Sequence, residues 1–134
     1  MKKVFFQGSF DILNVCHIKC FNIAKSYGEL TIGLNSDKLI QSYKHRNPSI
    51  PYEERAIILR ALRYVDKVIP CNEVSPMKQL KELKPDIFIL GEEWVSAHKE
   101  PMDFVKSYGG QIVTTKNYTK YLHSSDIRNR VKSG

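Results

Sequence analysis

Five short apolar segments recur along the chain, and longer amphipathic segments separate them. Apolar runs of about five residues are typical of strands that are buried on both faces of a parallel sheet. The predicted strands are 3–7, 30–34, 65–70, 86–90 and 111–115. Apolar residues of helical period, bounded by Pro and Gly, predict helices over 17–27, 51–62, 77–83 and 101–108, with a final helix beginning at 123.

The alternation of strands and helices predicts an α/β fold. We expect one domain over residues 1–134, with a five-stranded parallel sheet and right-handed crossovers that place helices on both faces. In such sheets, ligands bind beyond the carboxyl ends of the strands, at the switch point of the topology. The main polar clusters lie at or just after predicted strand ends, at 8–17, 35–37, 91–94 and 123–126. The cluster at 35–37 is placed to cap a short helical segment over 38–41.

The stretch from Lys3 to His17 carries the most informative of these clusters. Gly8 ends the first strand, a polar turn follows, and a helix begins near Val15 to His17. The N–H groups of a helix start and the positive end of the helix dipole point towards the same place. A strand, a tight glycine turn and a helix start therefore predict a phosphate site.

Composition and charge narrow the class of ligand. The 134 residues suffice for one domain, and the 42% hydrophobic and 26% charged content is ordinary for a globular protein. No apolar run approaches the ~20 residues that a membrane span needs, and the first residues do not resemble a signal peptide. We therefore expect a cytoplasmic protein with no membrane partner. The net charge of +7 favours an anionic ligand.

Nucleic acid and a small phosphorylated substrate both suit that charge. The densest basic group, at 44–46, is short and has no interleaved aromatic residues, so a nucleic-acid interface is disfavoured. The cysteines lack metal-ligand spacing and are interpreted as small buried thiols in a reducing compartment. They are Cys16, Cys20 and Cys71.

The opening segment resembles the signature G-(S/T)-F-D-x-x-H-x-G-H of the cytidylyltransferase-like nucleotidyltransferases. The segment Gly8–Asp11 and His17 occupy the positions that this signature requires. Two positions depart from it, because Asn14 stands in the place of the first His and Cys16 in the place of the Gly. These changes permit an enzyme with a modified site, a binding-only relative or an engineered variant.

Further segments extend the resemblance over nearly the whole chain. Y-E-E-R at 52–55, R-Y-V-D-K-V-I-P at 63–70 and G-E-E-W at 91–94 look like the glycerol-3-phosphate cytidylyltransferase branch. The tail L-H-S-S-D-I-R at 122–128 is similar to the final signature of the family. The usual Arg before that signature is missing, and Lys120 is our candidate to replace it.

The resemblance implies a Rossmann-like enzyme that joins a nucleoside triphosphate to a phosphate-bearing alcohol and releases pyrophosphate with Mg²⁺. The first expectation is CTP with a phosphorylated polyol such as glycerol 3-phosphate. ATP- or CTP-dependent transfer to a sugar phosphate is the alternative in the same class. A catalytically weakened nucleotide-binding relative is the alternative from another class. The R-Y-V-D segment further implies a homodimer.

The resemblance also implies roles for single residues. His17 would donate to phosphate oxygens as charge develops, and Asn14 would supply only a neutral donor, which predicts a slower enzyme. Lys44 and Arg46 would hold phosphates, and Arg63 would reach the acceptor phosphate. For Arg63, an ion pair with Asp66 or a subunit contact is the alternative.

Three sets of residues follow from the resemblance. The catalytic set is His17, Asn14, Lys44 and Arg63. The nucleotide-binding set is Gly8, Ser9, Phe10, Asp11, Cys16, Gly91, Glu93, Ser124 and Ser125. The acceptor-binding set is Asp37, Arg46, Arg55, Asp66, Trp94 and Lys120. Simpler structural roles compete with these assignments. They are a helix-start residue for His17, a solvated basic loop for Lys44 and Arg46, a turn cap for Asp11, an ordinary helix cap for Ser124 and Ser125, and a packing anchor for Trp94.

Overall fold

The computed structural model describes residues 1–115, which contain one five-stranded sheet with every neighbouring pair of strands parallel. The strands are β1 (Lys3–Gly8), β2 (Glu29–Asn35), β3 (Lys67–Cys71), β4 (Ile87–Gly91) and β5 (Gln111–Thr115). The helices are α1 (Val15–Tyr27), α2 (Asp37–Lys44), α3 (Tyr52–Arg60), α4 (Met77–Leu83) and α5 (Lys99–Ser107), with a 3-10 turn at Glu92–Trp94. The predicted α/β fold is confirmed.

The strand order is β3-β2-β1-β4-β5. The chain moves outward from β1 through β2 to β3, and then crosses to the other side of β1 to form β4 and β5. The topological switch point therefore lies between β1 and β4. Because all the strands are parallel, the residues that follow β1, β2 and β4 meet at one edge of the sheet, where ligands bind in this kind of fold.

Two apolar cores, one on each face of the sheet, hold the helices in place. On one face, Phe21 of α1 and Leu59 of α3 pack against β1, β2 and β4. On the other face, Leu80 of α4 and Val105 of α5 pack against Phe5 and its neighbours. Burial of the apolar surface between these layers is the main stabilising contribution to the domain. The helices within residues 1–115 are too short or too polar to serve as membrane spans.

Three predicted boundaries were wrong. The helix predicted as a short segment at 38–41 is α2, which extends to Lys44 and ends because His45 adopts a left-handed conformation with φ 57°. β3 continues through Pro70 to Cys71, because β3 is an edge strand and its outer side needs no N–H donor. α3 ends at Arg60, so Arg55 and Arg63 do not share one helix.

The predicted contacts of Arg63 and Asp66 with the acceptor do not agree with where these residues lie. Both precede β3, at the amino edge of the sheet. The turn that was predicted to bind phosphate follows β1, at the carboxyl edge. The Asp66 carboxylate binds Lys25 Nζ at 2.7 and 2.9 Å and accepts from the Leu30 N–H at 2.7 Å. Arg63 donates to the Tyr64 hydroxyl at 2.9 Å instead of pairing with Asp66.

Replacing Asp66 by Asn is expected to lower the free energy of unfolding by about 1 kcal/mol at neutral pH. Partial burial raises the pKa of the Asp66 carboxyl, but the bonds from Lys25 and Leu30 outweigh burial and hold that pKa below its ordinary value. The ionised form therefore contributes stability above the unfolded pKa of about 3.9, and this contribution is lost as the pH falls through the lower folded pKa. Urea unfolding of both proteins between neutral and acid pH should show the difference shrink below about pH 4. A constant difference would contradict this role.

Candidate functional site

The Phe10 ring packs against the turn that follows β1. This residue has φ 46° and is buried, and its ring meets those of Phe6, Phe21 and His17 edge to face at 5.5, 5.1 and 5.6 Å. The ring also lies under Gly8, where an added Cβ would come within 2.7 Å of it. Phe10, predicted to bind the nucleotide, thus has its ring in the core, where it supports Gly8 and His17.

Replacing Gly8 by Ala is expected to lower the free energy of unfolding by about 1–3 kcal/mol. The added methyl group has to push the Phe10 ring, which is enclosed by Phe6 and Phe21. Thermal unfolding measures the loss. Gly109→Ala is the comparison for space, because nothing lies within 4 Å of a Cβ added there. The φ of 91° at Gly109 adds backbone strain to that variant. Equal stability of the Gly8 variant and the wild type would contradict the close packing.

Asn14 and His17 form a reciprocal cap at the start of α1. The Asn14 side chain accepts from the Cys16 N–H at 3.0 Å and from the His17 N–H, and its amide donates to the Ile12 carbonyl at 3.2 Å. The Asn14 N–H in turn donates to His17 Nδ1 at 3.2 Å. With Nδ1 as an acceptor, the neutral His17 ring carries its proton on Nε2. Asn14 therefore has a positioning role towards His17, in addition to its predicted catalytic one.

The cysteines in this region are protonated thiols. Burial raises the pKa of Cys16, and burial followed by the nearby Cys16 and Glu93 raises the pKa of Cys20 to about 11. Burial alone raises the pKa of Cys71 to about 12. Thiolates are the reactive and metal-binding form of cysteine, and at neutral pH these residues are thiols. Cys16 and Cys71 are buried, as the interpretation of small buried thiols expects, whereas Cys20 is half-buried.

Asp11 holds the loop between α2 and α3. Its buried carboxylate accepts from the N–H groups of Ser49 and Ile50, both at 2.8 Å, and Arg46 Nη1 lies 3.9 Å from it. The predicted nucleotide ligand Asp11 and the predicted acceptor ligand Arg46 are thus neighbours. Asp11 fixes the loop that carries Arg46 over the carboxyl edge of the sheet.

Arg55 lies inside this edge, with an exposed fraction of 1%. Its Nη1 donates to the carbonyls of Ser9 and Asn35 at 2.8 and 2.9 Å. Its Nε donates to the Ile50 carbonyl at 2.8 Å, and its Nη2 to Asp37 Oδ1 at 2.6 Å. Arg55 and Asp37 were predicted as acceptor ligands. Their geometry favours a structural role in which Arg55 joins the ends of β1 and β2 to the loop before α3.

A polar network crosses the carboxyl ends of β1 and β2. Gln7 Nε2 donates to Asn35 Oδ1 at 2.9 Å and to the Glu73 carbonyl at 3.2 Å. Asn35 Nδ2 donates to Ser9 Oγ at 3.1 Å and to the Tyr43 hydroxyl at 3.4 Å, and these two hydroxyls are 2.8 Å apart. Ser9 was predicted as a site residue, whereas Gln7, Asn35 and Tyr43 were not. Two signals were available, a Gln at the end of an otherwise apolar strand and Asn35 in the polar cluster after the second strand.

Trp94 faces the same edge from the far side of the switch point. It is half-buried, stacks on the buried His98 with ring centroids 5.4 Å apart, and meets Tyr43 edge to face at 6.4 Å. Burial lowers the pKa of His98, so its ring is neutral at pH 7. Trp94 thus combines its predicted place in the site with the competing role of a packing residue.

Of the remaining predicted residues, Lys44 and Glu93 occupy the rim. Lys44 is exposed at the end of α2, with its Nζ 5.8 Å from the centre of the Tyr43 ring. The Glu93 carboxylate folds over Gly91, where an added Cβ would lie 2.6 Å from Glu93 Oε2. Ser124, Ser125, Lys120 and the predicted final helix lie outside the described residues.

The described side chains do not form a metal cage of their own. Within residues 1–115, no three His, Cys, Asp or Glu side chains are grouped so that they could hold a metal ion. Both oxygens of Asp11, the carboxylate nearest the turn, accept backbone N–H groups. Mg²⁺ often binds proteins together with substrate phosphates and keeps several waters. The predicted Mg²⁺ would therefore be held mainly by the triphosphate.

Comparisons with known proteins agree with this geometry. The cytidylyltransferase-like family model matches residues 5–130. The bifunctional protein HldE of Geobacter metallireducens is 40% identical over 113 residues, which are 83% of this chain and 23% of that protein. HldE of Campylobacter fetus is 38% identical over 131 residues, 96% of this chain and 28% of that protein.

A solved structure shares the fold. The lipopolysaccharide core biosynthesis protein from Thermoplasma volcanium is 28% identical, with a TM-score of 0.71 over 87% of this chain and 95% of that one. The chain spans about a quarter of the length of the curated relatives. The family model covers both the phosphate turn and the strands that position it. This chain therefore belongs to the cytidylyltransferase-like family.

Proposed function

We propose that this chain transfers a nucleotidyl group from a nucleoside triphosphate to a sugar phosphate and releases pyrophosphate. The observation that carries the proposal is the place of His17 at the carboxyl edge of β1, with Nδ1 accepting the Asn14 N–H. This geometry presents an Nε2–H donor beside the phosphate turn. The name of the Thermoplasma relative, which refers to the lipopolysaccharide core, favours a sugar phosphate over glycerol 3-phosphate.

The reaction is an in-line displacement without a covalent enzyme intermediate. An oxygen of the acceptor phosphate attacks the α-phosphorus, the bond from the α-phosphorus to the bridging oxygen breaks, and pyrophosphate leaves with that electron pair. His17 donates to the phosphate oxygens on which charge develops, and Lys44 and Arg46 supply positive charge from the rim. Mg²⁺ bound to the triphosphate would lower the effective charge of its phosphates.

The nucleotide base and the acceptor are the finer parts of the proposal. CTP with glycerol 3-phosphate, which the R-Y-V-D and G-E-E-W segments imply, is the competing pair. The curated relatives are about four times longer than this chain, so their complete activities are not transferred to it. A homodimer also remains a prediction. Ile57 and Ile58 on α3 are exposed near Arg63 and would be covered by a second copy, which light scattering would detect.

A weakened, nucleotide-binding relative is the second candidate, and Asn14 is the observation that favours it. Its Oδ1 accepts from the start of α1 and its Nδ2 donates to the Ile12 carbonyl, and Asn lacks the charge that a His would carry. A neutral hydrogen bond is about half as strong as a charge-assisted one. Such a protein would bind a nucleotide without turning it over.

Pyrophosphate release with Mg²⁺ separates these candidates. The full chain is assayed with ATP or CTP, against glycerol 3-phosphate and aldose phosphates from trioses to heptoses. The proposal expects release with one nucleotide and an aldose phosphate. Silence in the wild type with activity in Asn14→His plus Cys16→Gly would identify a weakened relative. Silence in both, or release only with glycerol 3-phosphate, would contradict transfer to a sugar phosphate.

A further inference from the structure

One buried acceptor at the carboxyl edge of the sheet has no donor within residues 1–115. Among the residues that the structure describes, nothing donates to Gln7 Oε1, which is shielded from solvent. The orientation of the amide is fixed, because Nε2 donates to the Glu73 carbonyl, which can only accept. Rotating the amide would place two acceptors against each other. An unmade bond at a buried acceptor is costly, so this oxygen is available to accept a hydrogen bond from a ligand.

The other end of the network has a spare hydrogen-bond donor instead of a spare acceptor. The two hydrogens of Asn35 Nδ2 go to Ser9 Oγ and the Tyr43 hydroxyl. One of these hydroxyls donates to the other across 2.8 Å. Two hydroxyl hydrogens are present and the mutual bond uses one, so one O–H remains within the described network. The network thus offers a ligand one acceptor, at Gln7, and one donor, at Tyr43 or Ser9.

We propose that this network, formed by Gln7, Asn35, Ser9 and Tyr43, binds hydroxyl groups of the sugar acceptor. The inference rests on the proposed function and adds a specificity subsite to it. A sugar hydroxyl both donates and accepts, so it complements both ends of the network. A phosphate dianion only accepts, and Gln7 Oε1 cannot bind it. The subsite therefore recognises the polyol part of the acceptor and not its phosphate.

The place of the network assigns it to the acceptor. Asn35 ends β2, Tyr43 belongs to α2 and Glu73 follows β3, so the network lies on the β2 side of β1. Gly91 and Glu93, which the resemblance assigns to the nucleotide, follow β4 on the other side. The resemblance assigns Ser9 to the nucleotide as well, so Ser9 borders both ligands and the test variants are placed at Gln7 and Tyr43. Trp94 bridges the two sides through its contact with Tyr43. Residues 72–75, which carry the Glu73 carbonyl, are exposed and lie outside helices and strands. A hydroxyl group therefore reaches Oε1 only if this exposed segment moves.

Titration calorimetry tests the subsite on the full chain. The ligands are inorganic phosphate, a nucleoside triphosphate and the aldose phosphates. The triphosphate is the one that turnover identifies, and ATP and CTP are both used where there is no turnover. Gln7→Met removes the amide, and Tyr43→Phe removes only a hydroxyl, which protects the test if the first variant folds poorly. Gln79→Met is the matched control, because Gln79 donates to the Pro70 carbonyl outside the network.

The wild type is expected to bind an aldose phosphate more tightly than inorganic phosphate. Gln7→Met and Tyr43→Phe should each weaken the aldose phosphate by about three- to tenfold, the loss of one neutral hydrogen bond. Binding of inorganic phosphate and of the triphosphate should not change, and Gln79→Met should leave every ligand unchanged.

Three results would overturn the subsite. The first is a wild type that binds inorganic phosphate more tightly than an aldose phosphate. The second is a loss of triphosphate affinity in the variants that equals their loss of sugar phosphate affinity. The third is a Gln7 variant whose affinities match those of the Gln79 control. Pyrophosphate release is scored separately. If the variants lose only sugar binding and the wild type shows no turnover, the subsite is retained and the transferase activity is rejected. If the wild type turns over and Gln7→Met changes neither turnover nor sugar binding, the transferase activity is retained and the subsite is rejected.

Discussion

Replacing Arg55 by Met is expected to lower the free energy of unfolding by about 3–5 kcal/mol. The guanidinium is 1% exposed and satisfies the carbonyls of Ser9, Asn35 and Ile50. Met fills a similar volume but donates nothing, so these carbonyls lose a donor and Asp37 loses its cation. Because Ser9 and Asn35 also form the proposed sugar subsite, sugar phosphate binding should weaken as well.

Urea unfolding of the wild type and the variant measures this loss. Arg60→Met on the same helix is the matched control, since Arg60 is exposed at the end of α3 and should change stability by less than about 0.5 kcal/mol. An Arg55 variant as stable as the Arg60 variant would contradict the structural role. It would restore Arg55 as a candidate ligand of the acceptor phosphate.

Replacing His17 by Ala is expected to lower kcat by about 100- to 1,000-fold, the usual effect of removing one donor to a developing oxyanion. The loss should fall on kcat more than on KM, because the donor acts where charge appears in the transition state. Steady-state pyrophosphate release measures both constants. The capping bond to the His17 ring is also lost, so the variant should be less stable by about 1 kcal/mol.

Asn22→Ala is the control for this experiment. Asn22 is a polar, exposed residue of α1 that faces away from the core. Its replacement should leave kcat unchanged, which shows that the His17 effect does not come from a general disturbance of the helix. A His17 variant that retains wild-type kcat would remove His17 from the chemistry and leave it as a helix-start residue.

The elements could be predicted from the sequence because their signals are local. Short apolar segments predict the five parallel strands, and Gly8 predicts the turn before α1. Ser36 caps α2, as the polar cluster after β2 predicts, by accepting from the Leu39 N–H at 3.1 Å. Errors came where a single conformation decided the boundary, as with the left-handed His45 at the end of α2.

The site was harder to predict because its contacts join distant parts of the chain. Arg55 looked like a ligand from its motif, and only the fold places its guanidinium under Ser9 and Asn35. Asp66 belongs to a family segment yet lies at the amino edge of the sheet. The Gln7 network joins β1, β2 and α2, and an orphaned oxygen is visible only when every donor around it is known.

Transfer of labelled oxygen tests the central claim most directly. The acceptor is an aldose phosphate whose three non-bridging phosphate oxygens carry oxygen-18, and products are separated and weighed by mass spectrometry. Attack of the acceptor phosphate on the α-phosphorus predicts that all the label appears in a nucleoside diphosphate sugar and none in pyrophosphate. Label in the pyrophosphate, or consumption of the triphosphate without a labelled sugar nucleotide, would contradict nucleotidyl transfer.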